Sequence, residues 1–410
     1  MSIILRGLLC ITIIIIGLLL FLYQSIKKQK EEKNCFYFLT YLSYTFPLID
    51  TGIQRFDILF SPINVLTIIF ILFNFRVIKY IFYKKFIIVS LFIIIITISA
   101  LLSDYTKNSL LSTYTYINPI FLFIISLKAI KYKGLNEFLN RIIKPICWWI
   151  IFFAIIQIFI DINFSFLASH KTTEDRLCYC FIDPQTAGVV CAMICIYFTN
   201  KLFNGIGKNN VIYVIIFFIL TVLTGSKSSM LGLLIGFLVS IMYTKIKPVY
   251  IFSILVLSIG VVSTYESWSK LTIYKRFVEF DSSLNSREDI YWAKGILVFN
   301  ENKIIGIGPG NFQRYNMEHN LGLIHNNNGE IIYASQPESG YLLLLDELGI
   351  FGLYIFIPII FLIQFKKNLN YNISIIIPWL ISFISLYNLL YKNVSFILII
   401  MIASIYCSRK

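Results

Sequence analysis

The chain has 410 residues, of which 58% are hydrophobic and 14% are charged, and its mean hydropathy is +0.79. Soluble globular chains are about half apolar and about a quarter charged, so this composition excludes an ordinary soluble protein. The formal net charge of +14 raises the question of a nucleic-acid partner, which the distribution of the basic residues answers below.

Apolar residues come in blocks of about twenty, the length of a helix that crosses roughly 30 Å of hydrocarbon. Lipid offers no hydrogen-bond partner to exposed backbone groups, so these blocks predict an all-α polytopic membrane protein. Three of the blocks are short, which leaves open whether there are twelve or thirteen transmembrane helices. The predicted spans are Ile3–Tyr23, Cys35–Ile49, Ile58–Phe75, Phe86–Leu102, Leu110–Leu127, Pro145–Ile162, Cys178–Phe198, Val211–Thr224, Ser229–Tyr243, Pro248–Tyr265, Gly349–Phe365, Ile373–Leu390 and Val394–Cys407.

Lys and Arg are divided unevenly between the loops that join these spans. One alternate set of loops holds 21 of the 35 basic residues, the opposite set and the N-terminus hold seven, and the long segment Glu266–Pro337 holds the other seven. Loops rich in Lys and Arg mark the cytoplasmic side. We therefore expect a multi-pass protein of the cytoplasmic (inner) membrane, with the C-terminus inside and Glu266–Pro337 outside. The positive charge is a topology signal, and no nucleic-acid partner is predicted.

This topology predicts three regions: an N-terminal transmembrane bundle (1–265), a large extracytoplasmic loop with an amphipathic helix (266–337), and C-terminal transmembrane helices (338–410). The first span, Ile3–Tyr23, has no small-residue cleavage site after it, so we expect a retained anchor rather than a signal peptide. The cysteines form no framework, and CxxC, HExxH and Walker motifs are absent from the sequence. The sequence predicts no metal and no cofactor.

The extracytoplasmic loop contains the stretch "NSREDIYWAKGILVF", which starts with Ser286 as a candidate N-cap. Apolar residues recur at helical spacing around Trp292, so we expect an amphipathic helix lying on the membrane or packed against the bundle. The stretch "GIGPGNF", Gly306 to Phe312, follows. Its glycines allow a backbone to approach a ligand closely, and the alternative is a tight turn.

The stretch "QPESGYLLLLDELGIFGLYIFIPIIFLIQF" raises the question of why a membrane segment accepts three carboxylates. As a helix, Glu338–Phe365 would be about 42 Å long, roughly 12 Å more than the hydrocarbon needs. We therefore expect the transmembrane span to start at Gly349, with Asp346 and Glu347 near the water boundary. Glu347 is predicted to be structural, held by hydrogen bonds from neighbouring helices or by a salt bridge, while Glu338 lies at the outer tip.

These stretches resemble the O-antigen polymerase and O-antigen ligase superfamily. In that family an Arg, a Trp-bearing helix and a G-x-G-P-G-type loop precede a helix that ends in Glu-x-Gly-x-x-Gly; here Arg287, Trp292, the loop Gly306–Gly310, and the helix end at Glu347, Gly349 and Gly352 match. Earlier, "RLCYCFIDPQTAG" is similar to the family's Arg followed by a Pro-Asn pair, and "TGSKSSMLGLLIG" to its Gly-Ser-Arg-Ser element, with Lys227 in place of Arg.

The resemblance implies a metal-independent, type-C glycosyltransferase-like enzyme that acts outside the cytoplasmic membrane on sugars carried by undecaprenyl diphosphate. The lipid diphosphate leaving group needs cations, for which Arg176, Lys227 and Arg287 are the candidates. The attacking sugar hydroxyl needs a base, for which Glu338 is preferred over His325 and His319. The other predicted substrate-binding residues are Tyr291, Trp292 and Tyr341, as rings that stack on sugars or anchor at the interface, and Asp183, Gly308, Asn311 and His319.

Several functions stay open within and beyond this family. The ligase branch commonly has His-Asn where this chain has Glu338-Ser339, which favours a polymerase of repeat units over an O-antigen ligase. A transporter of lipid-linked oligosaccharide and a non-catalytic assembly partner are the alternatives. The expected partners are the undecaprenyl-diphosphate-linked glycan, the lipid bilayer, a chain-length regulator and a flippase. The product, whether lipopolysaccharide O-antigen, capsule or exopolysaccharide, is left open.

Overall fold

A computed structural model describes most of the chain. The described residues are 3–27, 30–49, 61–79, 87–161, 164, 176–207, 209–243, 291–321, 323–325, 331–333, 336–356, 371–385 and 392–407. The predicted span Pro248–Tyr265 and the candidate cap Ser286 lie outside these residues.

Helices dominate the N-terminal part of the chain, as its apolar blocks predict. They are α1 (Ile3–Ile26), α2 (Glu31–Tyr44), α3 (Pro62–Phe73), α4 (Arg76–Lys79), α5 (Ile87–Leu102), α6 (Thr106–Lys133), α7 (Leu135–Phe159), α8 (Pro184–Phe203), α9 (Asn210–Leu223) and α10 (Lys227–Tyr243), with a short 3-10 helix at Phe46–Leu48.

The C-terminal part has shorter elements. They are α11 (Ala293–Glu301), α12 (Phe312–Glu318), the strands β1 (Leu323–His325) and β2 (Ile331–Tyr333), α13 (Gly340–Leu348), 3-10 helices at Gly349–Phe356 and Tyr371–Ile376, α14 (Ile377–Ser382) and α15 (Lys392–Cys407). The two strands pair antiparallel, with Leu323 opposite Tyr333 and His325 opposite Ile331.

Four of the described helices are long and apolar enough to cross a membrane. They lie at Gly7–Gln24, Thr106–Lys133, Leu135–Phe159 and Pro184–Phe203, and shorter apolar helices accompany them. Large apolar side chains such as Ile15 and Leu19 are exposed on α1, as expected of a helix that faces lipid. The prediction of an all-α polytopic membrane protein is confirmed, with the two-stranded ribbon as an addition. The count of twelve or thirteen spans stays a prediction.

The described residues fall into two units, each with its own packing. The first comprises residues 1–150, 286–365 and 383–410, and the second residues 151–285 and 366–382. In the first unit α6 is central, because α2, α5 and α15 all pack against it. In the second unit α8 packs against α9, α10 and α14. Gly232 brings α10 close to α14, since a Cβ there would lie 2.5 Å from the Pro378 Cα, as is common for small residues between membrane helices.

The prediction of one helix running from Glu338 into a span at Gly349 is wrong. Helix α13 begins at Gly340 and ends at Leu348, and Gly349, with φ +63°, starts a 3-10 helix. The physical reason is that the segment around Ile304 crosses the chain at this point. A Cβ on Gly349 would lie 2.2 Å from the Ile304 carbonyl oxygen, and Ile350 N–H donates to the Lys303 carbonyl at 2.8 Å.

Candidate functional site

The two stretches that contain Arg176 and Lys227 meet in the second unit. Arg176 Nε donates to the carbonyl of Thr224, at the end of α9, over 2.8 Å. Gly225 follows in the left-handed region, with φ +60°, and a Cβ there would lie 3.5 Å from Arg176 Nε. The guanidinium therefore lies against the turn that joins α9 to α10.

Lys227 is the first residue of α10, a helix of 17 residues. Ser226, just before it, accepts a hydrogen bond from the Ser229 N–H on its side-chain oxygen and one from the Met230 N–H on its carbonyl. A helix start carries partial positive charge and favours anions. The second unit thus places two cationic side chains at a helix N-terminus, an arrangement that suits a diphosphate.

Asp183, a predicted substrate-binding residue, caps the start of α8. Its Oδ1 accepts from the Thr186 N–H at 2.8 Å and its Oδ2 accepts from the Thr186 hydroxyl at 2.5 Å. Arg176 is near enough to interact with it electrostatically. These contacts give Asp183 a structural function as an N-cap, and its substrate contact stays a prediction.

Glu338 precedes α13 in the first unit and has an unusual backbone. Its φ is +47°, in the left-handed region that residues with a Cβ seldom adopt. The next residue, Ser339, is buried and caps α13 by accepting the Leu342 N–H on its side chain. Glu338 is half-buried. Such backbone outliers concentrate at functional sites and justify a functional hypothesis.

Trp292 contacts Glu338 directly, which the sequence did not indicate. The indole Nε1–H donates to the Glu338 carbonyl oxygen over 3.4 Å. Trp292 stands immediately before α11, in a turn of π-helix that includes Tyr291. The structure therefore brings together two of the predicted site residues, Glu338 and Trp292; Tyr291 precedes Trp292 in the sequence.

The glycine-rich loop packs on protein rather than surrounding an open cleft. A Cβ on Gly306 would lie 2.4 Å from the carbonyl carbon of Glu347, and one on Gly308 would lie 2.5 Å from the Ser109 hydroxyl. Gly308 N–H also donates to the Glu347 carbonyl at 2.9 Å. The close approach that the glycines permit is thus made to α13 and α6, in agreement with the tight-turn alternative. The substrate contact of Gly308 stays a prediction.

Asn311, at the end of this loop, is fully buried and bound on both sides of its amide. Its Nδ2 donates to the hydroxyls of Ser103 and Ser109 and to the Ile307 carbonyl, at 3.1, 2.5 and 3.0 Å. Its Oδ1 accepts from Asn108 at 2.7 Å. Asn311 therefore joins the loop to α6 and to Ser103, which directly follows α5. Its predicted contact with substrate stays a prediction.

Asp346 and Glu347 are buried inside the protein, while their depth relative to the water boundary stays a prediction. Their exposed fractions are 0% and 4%. The loop covers them, because Ile307 N–H donates to the Asp346 carbonyl at 2.9 Å. Glu347 accepts hydrogen bonds on its carboxylate from the Tyr116 hydroxyl, at 2.5 Å, and from the Gly310 N–H. The structure thus agrees with the predicted hydrogen bonding of Glu347 from a neighbouring helix.

Asp346 differs from its neighbour because, within the described part of the chain, neither of its carboxyl oxygens has a hydrogen-bond partner. Its Oδ2 faces Gly295 of α11, where a Cβ would lie 3.2 Å away. Burial, with a smaller contribution from Glu347, raises the pKa of Asp346 to about 9. Asp346 is therefore neutral at neutral pH.

The other predicted site residues have varied surroundings. Tyr341 is half-buried and makes an edge contact with the Phe383 ring at 5.0 Å between centroids. His319 ends α12 on an exposed surface and stacks on Tyr315 at 4.0 Å. Arg287 lies outside the described residues, as does the side chain of His325, whose backbone belongs to β1.

Sequence reasoning missed the partners of the glycine-rich loop. Ser99 donates to the carbonyls of Ile305 and Glu347, and Ser103 donates to the Ile307 carbonyl at 2.6 Å. Ser99 lies on α5, and Ser103, four positions later, directly follows the last residue of that helix; this spacing is the one signal in the sequence that could have indicated the contact. Among the described residues, no group of three or more His, Cys, Asp or Glu could hold a metal ion.

The described helices define the class as a helical membrane protein. The second unit holds a cationic helix start, and the first unit holds a covered, carboxylate-bearing helix. Residues 212–357 match the model of a family described as O-antigen ligase. This match confirms the predicted O-antigen polymerase and ligase superfamily and includes α10, α11, the glycine-rich loop and α13. No curated protein and no solved structure matches the chain. The family supports a polymerase- or ligase-type function.

Proposed function

We propose that the protein is a polymerase that joins oligosaccharide repeat units carried on undecaprenyl diphosphate at the outer side of the cytoplasmic membrane. The observation that carries the proposal is the left-handed backbone of Glu338, bound by Trp292 at the start of a helix in the family-matched region. A half-buried glutamate with a left-handed backbone, whose carbonyl accepts a hydrogen bond from a tryptophan, suits a group that takes the proton of a sugar hydroxyl.

The proposed reaction is a glycosyl transfer. The hydroxyl of one unit attacks the anomeric carbon of another, the bond from that carbon to the diphosphate oxygen breaks, and the lipid diphosphate leaves. The hydroxyl proton passes to the Glu338 carboxylate. Arg176 and Lys227 bind the diphosphate, whose negative charge grows as the bond breaks. Arg287 is proposed as a third cation and His325 as an alternative base, on the family resemblance alone.

The base is tested by turnover of purified protein with lipid-linked repeat units at matched amounts of folded protein. Glu338→Gln should leave folding intact and remove the ladder of longer glycans, since an amide cannot accept the proton. Glu318→Gln, an exposed carboxylate of the same segment, is the control and should extend chains normally. A normal ladder from Glu338→Gln, together with inactive His325→Ala or His319→Ala, would assign the base to the loop instead.

The cations are tested by a separate measurement, binding of undecaprenyl diphosphate. Arg176→Ala should weaken binding and lower turnover about 10²–10³-fold, the usual cost of one preorganised charge contact. Arg176→Lys should recover part of the loss, because a point charge replaces a planar fork. Lys201→Ala is the control, because Lys201 lies in the last turn of α8, at the end opposite to Asp183 and its neighbour Arg176. Unchanged binding in Arg176→Ala would remove this residue from the diphosphate site.

The second candidate function is an O-antigen ligase, favoured by the description of the matching family. Glu338-Ser339, where the ligase branch commonly has His-Asn, favours the polymerase. Deletion of the gene separates them. Loss of a polymerase leaves one repeat unit on the acceptor, whereas loss of a ligase leaves polymer on the lipid carrier.

A further inference from the structure

The first turn of α11 packs on the residues that precede α13. Trp292 donates its indole N–H to the Glu338 carbonyl, with 3.4 Å between nitrogen and oxygen. Three residues later, Gly295 has no side chain, and a Cβ there would lie 3.0 Å from the Cβ of the buried Pro337. The hydrogen bond from Trp292 holds the Pro337–Glu338 backbone next to α11, and the absence of a side chain at Gly295 allows this close approach.

The other side of this backbone is also fixed. Gly340 N–H donates to the Phe383 carbonyl at 2.8 Å, and the Phe383 ring lies where a Cβ on Gly340 would be, at 2.5 Å. Glu338 therefore stands between two anchored points. Its left-handed conformation costs about 1–2 kcal/mol for a residue with a Cβ and nothing for glycine. Such a conformation persists only when the surrounding structure determines it.

We propose that Trp292 is a positioning residue for Glu338, which holds the backbone at φ +47° so that the carboxylate keeps one direction. The inference rests on the proposed function, in which Glu338 accepts the proton. The sequence predicted that Trp292 stacks on a sugar ring or anchors at the membrane interface; the structure adds a protein acceptor for its N–H, which neither prediction included. Without that hydrogen bond the Glu338 peptide can relax to a negative φ, and its side chain then points elsewhere.

The test compares Trp292→Phe, which removes the N–H donor, with the parent protein at matched folded amounts. Turnover is measured as kcat and KM for the lipid-linked unit, and amide hydrogen exchange is measured on the peptide spanning 336–342. Loss of one hydrogen bond predicts a fall in kcat of about three- to tenfold with KM unchanged. Exchange at Glu338–Gly340 should become faster. Trp149→Phe, whose indole donates to the Tyr44 carbonyl at 2.8 Å, is the control and should change neither.

The outcomes separate the two interpretations of Trp292. A raised KM with unchanged exchange would mean that the ring contacts the sugar, and would overturn the positioning role. Normal turnover in Trp292→Phe would overturn it as well, whatever the exchange shows. If this variant does not fold, replacement of Trp292 by 3-benzothienylalanine keeps the shape of the ring and removes only the donor. Failure of the proposed function is seen separately, as normal turnover in Glu338→Gln.

Discussion

Removal of the Glu347 carboxylate should destabilise the protein. Glu347 is 4% exposed and accepts hydrogen bonds from the Tyr116 hydroxyl and the Gly310 N–H. In Glu347→Ala both donors lose this acceptor; the Tyr116 hydroxyl is buried, whereas Gly310 is exposed and its N–H can bind water. An unpaired buried donor costs about 1–3 kcal/mol, so the loss expected from the Tyr116 hydroxyl is about 1–3 kcal/mol. This is a large fraction of the 5–15 kcal/mol that typically stabilises a folded protein.

Glu347→Gln provides an intermediate case with nearly the same volume. Its single amide oxygen can accept from one of the two donors, while its NH₂ group faces the other, so we expect about half of the loss. The assay is the thermal unfolding midpoint of purified protein in detergent, with the folded fraction from size-exclusion chromatography. Glu318→Ala, at an exposed carboxylate, serves as the control and should leave the midpoint unchanged.

A double-mutant cycle tests whether the hydrogen bond is the cause. Tyr116→Phe removes one donor, so Glu347→Ala should cost less in that background than in the parent protein. Strictly additive losses would refute the coupling between the two groups. An unchanged midpoint in Glu347→Ala would refute the structural role of Glu347 altogether.

Three further predictions follow from burial, space and charge. The pKa of Asp346 is raised from 3.8 to about 9, so its contribution to stability is full below pH 3.8 and is lost as the pH rises towards 9, by about 1.4 kcal/mol per pH unit. The unfolding midpoint of Asp346→Asn should therefore depend less on pH than that of the parent protein. An equal dependence would argue against the burial of Asp346. Gly306→Ala places a Cβ 2.4 Å from the α13 backbone and should abolish folding. Gly205 has a similar φ of +72° but open space around it, so Gly205→Ala should be tolerated. If both variants lost the same amount of stability, the positive φ alone would be the cause. An impermeant thiol reagent should label Asn327→Cys but not Ser408→Cys in intact cells, and the reverse would overturn the proposed topology.

Hydropathy predicted most of the described helices, because a membrane span is a local property of about twenty residues. The predicted span Ile373–Leu390 is an exception, since the helix there ends at Ser382 and a turn follows. Hydropathy could not predict the break at Gly349. That break depends on Ile304, 45 positions earlier in the sequence, whose carbonyl oxygen occupies the space of a side chain. Hydropathy also gave no indication that the glycine-rich loop and α6, which carries Tyr116, bury Asp346 and Glu347 inside the protein.

The motifs of the candidate site were predictable from the sequence, but most of their contacts were not. Family resemblance indicated the Arg176 stretch and the Gly-Ser-Lys-Ser stretch as two separate motifs, and the structure brings them into contact through the Arg176–Thr224 hydrogen bond. The left-handed Glu338 and its contact with Trp292 had no signal in the sequence. Left-handed backbone is expected at glycine or asparagine, and nothing in the residues around a glutamate indicates it.

The short helix α13 connects these observations. Nine residues are too few to form a stable helix alone, so its position is set by contacts at both ends. The glycine-rich loop binds the last turn through the Asp346 and Glu347 carbonyls, and α11 binds the segment before the first turn through Trp292. A substitution in the loop can therefore displace Glu338 without touching a substrate. Loss of turnover in a variant such as Asn311→Ala would, by this argument, report on the placement of α13, and only a binding measurement with the lipid-linked glycan could assign Asn311 a substrate contact.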